Sequence, residues 1–408
     1  MNSARERTSL PHSPPGEPRL AYFAEHREKI VSTIRELVEI ESPSDNKVAV
    51  DRIADAIAEK FSSLGGQIRV HPAKGFGNHL QVDFAGESSA QPVLLLGHYD
   101  TVYPLGALAS MPCRVSKNKL TGPGVLDMKS GIALMLHAIA GLQNWSEEGR
   151  SKKTRNQKVQ HAALPRPITV LLVSDEEVGS NSSRAITESL AKKASAVLVL
   201  EPSYGPRGAV KTARKGVGEY ELKVSGKAAH AGLDFQKGVN AILELARQIE
   251  KVSSFTDLKK GLTVNVGIVS GGSRTNVVPA EAVAQFDVRI ARLKDAAGIN
   301  KKIRGLRAFN RKCKIEITGG INRPPMERSA GVATLYASAK SIARDLGWKL
   351  DEAAVGGGSD GNFTAALGIP TLDGLGGVGD GAHAIHEHIL ISELPRRAAL
   401  LASLIERV

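Results

Sequence analysis

The chain has 408 residues, 42% hydrophobic and 24% charged, which is ordinary for a globular protein with a substantial core. Aromatic residues make up only 4%, which argues against base-stacking RNA binding, and no run of about 18 apolar residues is present to span a membrane. Two distant cysteines form no disulfide framework, and residues 1–20 lack the apolar region of a secretory signal. We expect a cytoplasmic protein with a disordered tail over residues 1–20.

The first half of the chain alternates predicted helices and strands. Apolar residues at helical spacing predict a helix within residues 21–40, and residues 131–142 predict another. Strand-length runs lie at residues 67–70, 80–84, 93–96, 168–173 and 196–200. The last two are continuously apolar, as in strands buried on both faces. This alternation predicts an α/β sheet that is largely parallel at its centre.

From residue 214 the pattern changes to half-exposed strands and helices in the order β-α-β-β-α-β, typical of a ferredoxin-like unit. The strands are predicted at 219–224, 262–269, 282–290 and 314–317, and the helices at 239–252 and 296–309. Helix and buried strand then return at 331–346, 353–355 and 394–408. We therefore predict a discontinuous main domain of residues 21–213 and 323–408, with an inserted α+β domain of residues 214–322.

A basic stretch over residues 145–167 interrupts the first part of the main domain. It carries six lysines and arginines against two glutamates. The simplest interpretation is a solvated insertion, and the alternative is a patch for an anionic partner. No nucleic-acid partner is expected from this stretch alone.

Residues of metal-binding type follow three of the predicted strands. They are His98 and Asp100 after the first, Asp175, Glu176 and Glu177 after the second, and Glu201 after the third. In open α/β sheets, sites form outside the carboxyl ends of the strands. Three adjacent carboxylates at a sheet end repel one another unless cations neutralise them.

Two glycine-rich segments add the remaining candidate ligands. Asp127 lies in residues 122–131 (GPGVLDMKSG) and His383 lies in residues 379–383 (GDGAH). Taken alone, Asp127 is more typical of a helix N-cap than of a metal ligand. Together the candidates form a nitrogen and oxygen set suited to zinc, with cobalt or manganese as alternatives. The full set is His98, Asp127, Glu177, Glu201 and His383.

The order of these motifs resembles the co-catalytic zinc exopeptidases, a family that includes glutamate carboxypeptidases, acetylornithine deacetylases and succinyl-diaminopimelate desuccinylases. The resemblance covers residues 21–408 and is strongest to the glutamate carboxypeptidases. It implies a zinc-exopeptidase-like mixed sheet flanked by helices, an inserted lid and dimerisation domain, and two Zn²⁺ ions per chain. Asp127 would bridge the ions, Asp100 would orient His98, and Glu176 would be the general base. His98 and Glu201 would complete one ion's ligands, and Glu177 and His383 the other's.

The resemblance also implies a role for the smaller domain. Residues 226–232 (GKAAHAG) resemble the family's lid motif, in which the counterpart of His230 stabilises the oxyanion in the partner subunit's site. This implies a homodimer. Backbone N–H groups near a predicted helix at 362–367 and a guanidinium at position 323 suit a carboxylate. The expected substrate-binding residues are Asn276, Arg289, Arg323, Gly358 and Ser359.

The expected reaction is therefore hydrolysis of an amide or peptide bond in a small peptide, releasing a C-terminal amino acid, with glutamate as one candidate. One alternative is an N-acyl amino acid deacylase, and another is a non-catalytic binding protein with the same fold. One departure from the family pattern is His386, which stands where the family usually has Asp. His386 and His388 therefore compete with His383 as the last ligand.

Overall fold

The computed structural model of the protein describes residues 17–150 and 163–408, with side chains over 18–144 and 163–408. Residues 1–16 of the predicted tail and 151–162 of the basic stretch lie outside the described residues. Residues 17–20 belong to a helix, so the predicted tail is too long. The cause is a long-range contact, since Arg19 pairs with Glu406 at 2.9 Å near the end of the chain.

The end of the basic stretch also differs from a solvated insertion. The Arg166 side chain is buried and donates hydrogen bonds to the carbonyl oxygen of Gln91 and to Oγ of Ser195. Leu164 is buried in the core as well. This part of the segment therefore packs against the main domain.

The described residues contain eleven α-helices. They are α1 (Glu17–Glu25), α2 (Arg27–Val38), α3 (Lys47–Ser63), α4 (Ala107–Ser110), α5 (Ser130–Arg150), α6 (Arg184–Ala191), α7 (Ala241–Ser253), α8 (Ala296–Arg304), α9 (Ala330–Asp345), α10 (Gly361–Ala366) and α11 (Leu394–Arg407). The region predicted as one helix within residues 21–40 therefore contains parts of two, α1 and α2.

The strands agree with the predicted runs to within three residues where a run was predicted, except that the strand predicted at 314–317 continues six residues further. They are β1 (Gln67–His71), β2 (His79–Phe84), β3 (Val93–His98), β4 (Arg114–Ser116), β5 (Lys119–Thr121), β6 (Ile168–Val173), β7 (Ala196–Val199), β8 (Val210–Arg214), β9 (Gly216–Ser225), β10 (Thr263–Gly271), β11 (Glu281–Ile290), β12 (Lys314–Arg323), β13 (Glu352–Val355), β14 (Thr371–Leu372), β15 (Gly379–Asp380) and β16 (His388–Leu390).

The main sheet has the strand order β1-β2-β6-β3-β7-β14. The neighbours from β6 to β14 are parallel, whereas β1 and β2 add an antiparallel edge. Every residue of β3, β6 and β7 is buried, which is why these strands consist of continuous apolar runs. The carboxyl ends of three adjacent parallel strands therefore meet at one edge, with β3 in the middle.

Helices cover both faces of this sheet, and α5 packs against α11 within the larger apolar cluster. The stretch Val125–Asn144, which includes most of α5, is long and apolar enough to cross a membrane by composition alone. However, 83% of that apolar window is buried inside the protein. Such burial is typical of the core helix of a globular domain.

A second sheet is formed by the segment from Gly216 to Arg323. Its strand order is β10-β11-β9-β12 and all its neighbours are antiparallel. Helices α7 and α8 pack on it around a separate apolar cluster. Because the strands and helices occur in the order β-α-β-β-α-β, this is a ferredoxin-like arrangement.

Two small sheets complete the fold, and of their strands only β13 had been predicted. Strand β8 pairs in parallel with β13, which is only partly buried although a buried strand was predicted at 353–355. Strands β15, β16, β5 and β4 form an antiparallel sheet. The loop between β15 and β16 carries His383, so this short hairpin positions the last candidate ligand.

Candidate metal centre and active site

The carboxylate of Asp127 lies between two histidines. Its Oδ1 is 3.1 Å from Nε2 of His98, and its Oδ2 is 3.5 Å from Nε2 of His383. On the first side, Oε1 of Glu201 lies 3.4 Å from His98 Nε2. On the second side, Oε2 of Glu177 lies 3.2 Å from His383 Nε2. The five candidate ligands thus form two groups that share one carboxylate.

Three of these residues are brought together by the main sheet. His98 is the last residue of β3, Glu177 lies in the helical turn Glu176–Val178 after β6, and Glu201 follows β7. Because β6, β3 and β7 are adjacent and parallel, their ends converge without any long connection. The apolar strand sequences therefore determine where these polar side chains meet.

Asp127 is held by its own turn, Val125–Lys129, which a buried glutamate anchors. Glu387 accepts hydrogen bonds from the backbone N–H groups of Leu126 (2.7 Å), Asp127 (3.0 Å) and Gly124 (3.1 Å). Gly124 enters this turn with a φ of 70°, and a Cβ there would lie 2.6 Å from a methyl group of Thr101. The role of Glu387 was not predicted, although this glutamate lies only four residues after His383.

Asp100 links His98 to the turn of the acidic residues. Nδ1 of His98 lies 3.0 Å from the Asp100 carbonyl oxygen and 3.4 Å from its Oδ1. The carboxylate of Asp100 also accepts hydrogen bonds from Ser44 Oγ and from the backbone N–H groups of Glu176 and Glu177. With Nδ1 engaged in this way, Nε2 of His98 is directed at Asp127 and Glu201.

The electrostatics of the group call for positive charge. Burial opposes ionisation of the Asp127 carboxyl group, yet the imidazoles of His383 and His98 lower its pKa. Burial alone would lower the pKa of His98. The carboxylates of Asp100, Asp127 and Glu201 outweigh burial and raise this pKa well above its usual value. A buried acid cluster that draws protons onto its histidines is a cluster suited to cations.

Two further observations fit a pair of divalent metal ions. Ligands about 2.0–2.2 Å from a tetrahedral zinc ion lie roughly 3.3–3.6 Å from one another. The four nitrogen–oxygen separations given above are 3.1, 3.4, 3.5 and 3.2 Å. In addition, Oε1 of Glu177 is buried and has no hydrogen-bond partner among the described residues. The donor set therefore fits metal ions that are bound between these side chains.

Glu176 lies beside this cluster on a different side from Glu177. One of its carboxylate oxygens is within 4.8 Å of ligand atoms of both His98 and Glu201. Its Oε1 is 3.1 Å from Nη2 of Arg323. Burial raises the pKa of Glu176 well above its usual value, and the Arg323 guanidinium opposes that shift. This is the environment of a carboxyl group that can take up and release a proton.

Arg323 does not lie open to a substrate, contrary to the prediction. Its guanidinium is buried and donates to Oδ1 of Asp360, to the carbonyl oxygen of Glu176 (2.8 Å) and to Oγ of Ser180 (2.9 Å). Together with the ion pair to Glu176, these contacts occupy the guanidinium group that was expected to bind the carboxylate of a substrate.

Gly358 and Ser359 are likewise committed to protein contacts. Ser359 Oγ donates to Oδ2 of Asp373 at 2.6 Å, and the Ser359 N–H donates to the side chain of Asn362. The carbonyl oxygen of Gly358 accepts from Arg214. The start of α10 therefore offers less to a substrate carboxylate than predicted, because its side chains satisfy the nearby backbone groups.

Two further predicted residues of the smaller domain lie on its exposed loops. His230 and Asn276 are both exposed, and the two loops are joined by a hydrogen bond from the Ala231 N–H to the Asn276 carbonyl. Within the described part of the chain, the His230 side chain makes hydrogen bonds only to the N–H groups of Gly232 and Leu233. The structure thus leaves its ring free to meet another surface.

Arg289 reaches towards the main domain. Its Nε donates to Asp287, and its Nη1 lies 3.5 Å from the carbonyl oxygen of Gly356, with 31% of the side chain exposed. Within the part of the chain that the structure describes, no ion pair joins His386 or His388 to the acids of the cluster: Nδ1 of His388 lies 2.9 Å from the carbonyl oxygen of His386, and the His386 side chain is exposed. Among the described residues, it is His383 that contacts Asp127 and Glu177.

The fold and this cluster are typical of a metallopeptidase. The profile of peptidase family M20/M25/M40 matches residues 94–407, and the chain belongs to this metallopeptidase family. Carboxypeptidase G2 from Pseudomonas sp. (strain RS-16) is 30% identical over 385 residues, covering 92% of this chain and 88% of that protein. The family prediction made from the motifs is therefore confirmed.

Solved structures agree with the fold. Aminopeptidase PepT from Bacillus cereus superposes with a TM-score of 0.72 at 23% identity, covering 93% of this chain and 98% of that one. The YXEP protein of Bacillus subtilis, described as a dinuclear metal-binding peptidase of the M20 family, gives a TM-score of 0.65 at 16% identity, covering 94% and 98%. These likenesses confirm the predicted fold class.

Proposed function

We propose that this protein is a two-metal carboxypeptidase that hydrolyses the amide bond before a C-terminal amino acid. The observation that carries the proposal is the Asp127 carboxylate, whose two oxygens face separate ligand groups beside Glu176. His98 and Glu201 would hold one ion, Glu177 and His383 the other, and Asp127 both. Two such ions, zinc being the best match, lower the pKa of a water molecule and polarise a carbonyl group.

The chain's own residues supply the proton transfer. Glu176 accepts a proton from the attacking water and donates it to the leaving amine, which is why a buried, readily protonated carboxyl group is useful at this position. Arg323 keeps that carboxyl group aligned through its contact with Oε1. No covalent intermediate with the chain is needed.

Support for a carboxypeptidase rather than a deacylase comes from the relative with 30% identity, which is named a carboxypeptidase. Since Arg323 and Ser359 are engaged elsewhere, Arg289 is the better candidate for the substrate carboxylate. An N-acyl amino acid deacylase remains the second candidate, because its substrates also place a free carboxylate next to the scissile amide.

A substrate panel tests the proposal. Dipeptides and acyl-glutamates are compared with the same compounds carrying a C-terminal amide, after measuring metal content. We expect about two ions per chain, and turnover that requires both the ions and the free carboxylate. Turnover of acetylated amino acids alone would favour the deacylase. Equal turnover of the amides would overturn the carboxypeptidase assignment, and turnover in the fully stripped protein would overturn the metal mechanism.

The proposal includes a homodimer in which His230 acts in the partner's site. Its support is the exposed His230 and the β10 edge strand, whose Ile268 and Val269 are exposed. Mixing inactive His230→Ala and Glu176→Gln homodimers tests it. Subunit exchange creates heterodimers in which one site has both residues intact, so activity should return. No recovery despite demonstrated exchange would contradict the role in trans.

A further inference from the structure

Arg214, the last residue of β8, is buried directly behind the cluster, with 4% of its side chain exposed. Its Nε and Nη2 donate to the two carboxylate oxygens of Asp373 at 2.7 and 2.9 Å. Its Nη1 donates to the carbonyl oxygens of Gly358 (2.9 Å) and Gly357 (3.2 Å), and Nη2 also donates to Oε2 of Glu201 at 3.3 Å. These contacts match the five N–H donors of a guanidinium.

Asp373 holds the Arg214 guanidinium in place. The Asp373 side chain is fully buried, and its Oδ2 also accepts a hydrogen bond from Ser359 Oγ. Its backbone N–H and carbonyl groups are paired with those of Lys211 in β8. Both members of the Arg214–Asp373 pair are therefore held by the main chain as well as by each other, and a bidentate pair of this kind has a strongly preferred geometry.

The two oxygens of Glu201 have separate roles as a result. Oε1 lies 3.4 Å from Nε2 of His98, on the side of the candidate metal site, whereas Oε2 is hydrogen-bonded to Arg214. Building on the proposed function, we propose that Arg214, fixed by Asp373, is a positioning residue that holds Oε2 of Glu201 so that only Oε1 faces the ion shared with His98 and Asp127.

The effect of Arg214 is confined to one of the two ions. The corresponding ligand of the other ion, Glu177, has no such anchor, since its Oε1 lacks a hydrogen-bond partner among the described residues. Loss of a partner that orients a metal ligand typically lowers metal affinity about 10–100-fold. Replacing Arg214 should therefore lower the affinity for one ion by that factor and leave the affinity for the other ion unchanged.

Metal titration of Arg214→Lys tests this inference. The stripped wild-type protein and the variant are titrated with Zn²⁺ against a competing chelator, and bound ions are counted by native mass spectrometry. Lysine keeps the charge but cannot make five planar hydrogen bonds. We expect one of the two ions to bind about 10–100-fold more weakly. Arg166→Lys is the matched control, because Arg166 is also buried but its hydrogen bonds within the described part of the chain go to Gln91 and Ser195, away from the cluster.

A double variant separates positioning from general loosening. In a Glu201→Ala background, Arg214→Lys should cause no further loss of affinity, since the side chain it positions is gone. Equal weakening of both ions, or an additional loss in that background, would overturn the inference. If Arg214→Lys does not fold, Asp373→Asn takes its place and should weaken the same single ion, and failure to do so counts against the idea. A wild-type protein that binds no metal would instead refute the proposed function.

Discussion

The two halves of the candidate metal centre differ in how firmly the protein holds them. In the buried half, His98 is 1% exposed and is backed by Asp100, and Glu201 is backed by Arg214. In the open half, His383 is 51% exposed on a hairpin loop with a φ of 64°, and one oxygen of Glu177 has no partner among the described residues. The comparison indicates that the ligands of the buried half are preorganised for an ion, whereas those of the open half are held less firmly.

The largest expected effect comes from Glu176, whose carboxylate lies next to the buried half. Glu176→Gln keeps the shape of the side chain and removes its ability to carry a proton, so kcat should fall about 10²–10⁴-fold. Steady-state kinetics and metal analysis check this. The metal content and melting temperature should stay at wild-type values, and Glu188→Gln, which alters a helix-surface ion pair with Arg184, should leave kcat unchanged. Full activity in Glu176→Gln would show that another group is the base.

The next effect compares the two histidine ligands directly. His98→Ala should weaken its ion by more than the roughly 100-fold typical of losing an orienting partner, and it should also lower the melting temperature because a buried side chain is removed. His383→Ala should weaken the other ion but change the melting temperature little, since its ring is half exposed. Titration calorimetry and thermal unfolding of both variants check this. Equal losses of stability would remove the distinction between the halves.

A smaller effect is expected from Asp100→Asn. The amide keeps the size of the side chain but removes the negative charge beside His98. It also replaces one of the two carboxylate oxygens that accept hydrogen bonds from the N–H groups of Glu176 and Glu177. The affinity for the buried-half ion should fall about 10–100-fold, as for other orienting partners. Asp351→Asn, which removes one partner of an exposed ion pair with Arg207, is the control and should leave both ions in place. An unchanged affinity in Asp100→Asn would mean that the carboxylate does not support His98.

The smallest effect needs no mutation. When the metal-loaded protein is mixed with an excess of chelator, the ion of the open half should leave first, because His383 is half exposed and one oxygen of Glu177 has no partner among the described residues. Release followed with a metal-sensitive dye should therefore show two phases of equal amplitude. A single phase for both ions would indicate that the two halves are equally firm.

Part of this picture was predictable from the sequence. The buried strands β3, β6 and β7 are continuous apolar runs, so the positions of His98, Glu177 and Glu201 at one sheet edge followed from local sequence. Asp127 and His383 depended on glycine-rich segments and became convincing only through the family motifs. Helix α3 was missed even though its buried positions follow helical spacing.

The arginines were not predictable, because their roles depend on partners from distant segments. Arg323 was expected to bind substrate, but Glu176 and Asp360 surround it. Arg214 lies between Glu201 and Asp373, which are 13 and 159 positions away in sequence. A guanidinium in a sequence shows that five donors are available, but only the fold decides which acceptors they meet.

The most direct test of the account is a crystal structure of the zinc-loaded protein with anomalous diffraction data collected at the zinc absorption edge. We predict two peaks about 3.5–4 Å apart, one on each side of the Asp127 carboxylate, with only Oε1 of Glu201 bound to the ion beside His98. A single peak, or peaks away from Asp127, would contradict the central claim that this carboxylate is shared by two metal ions.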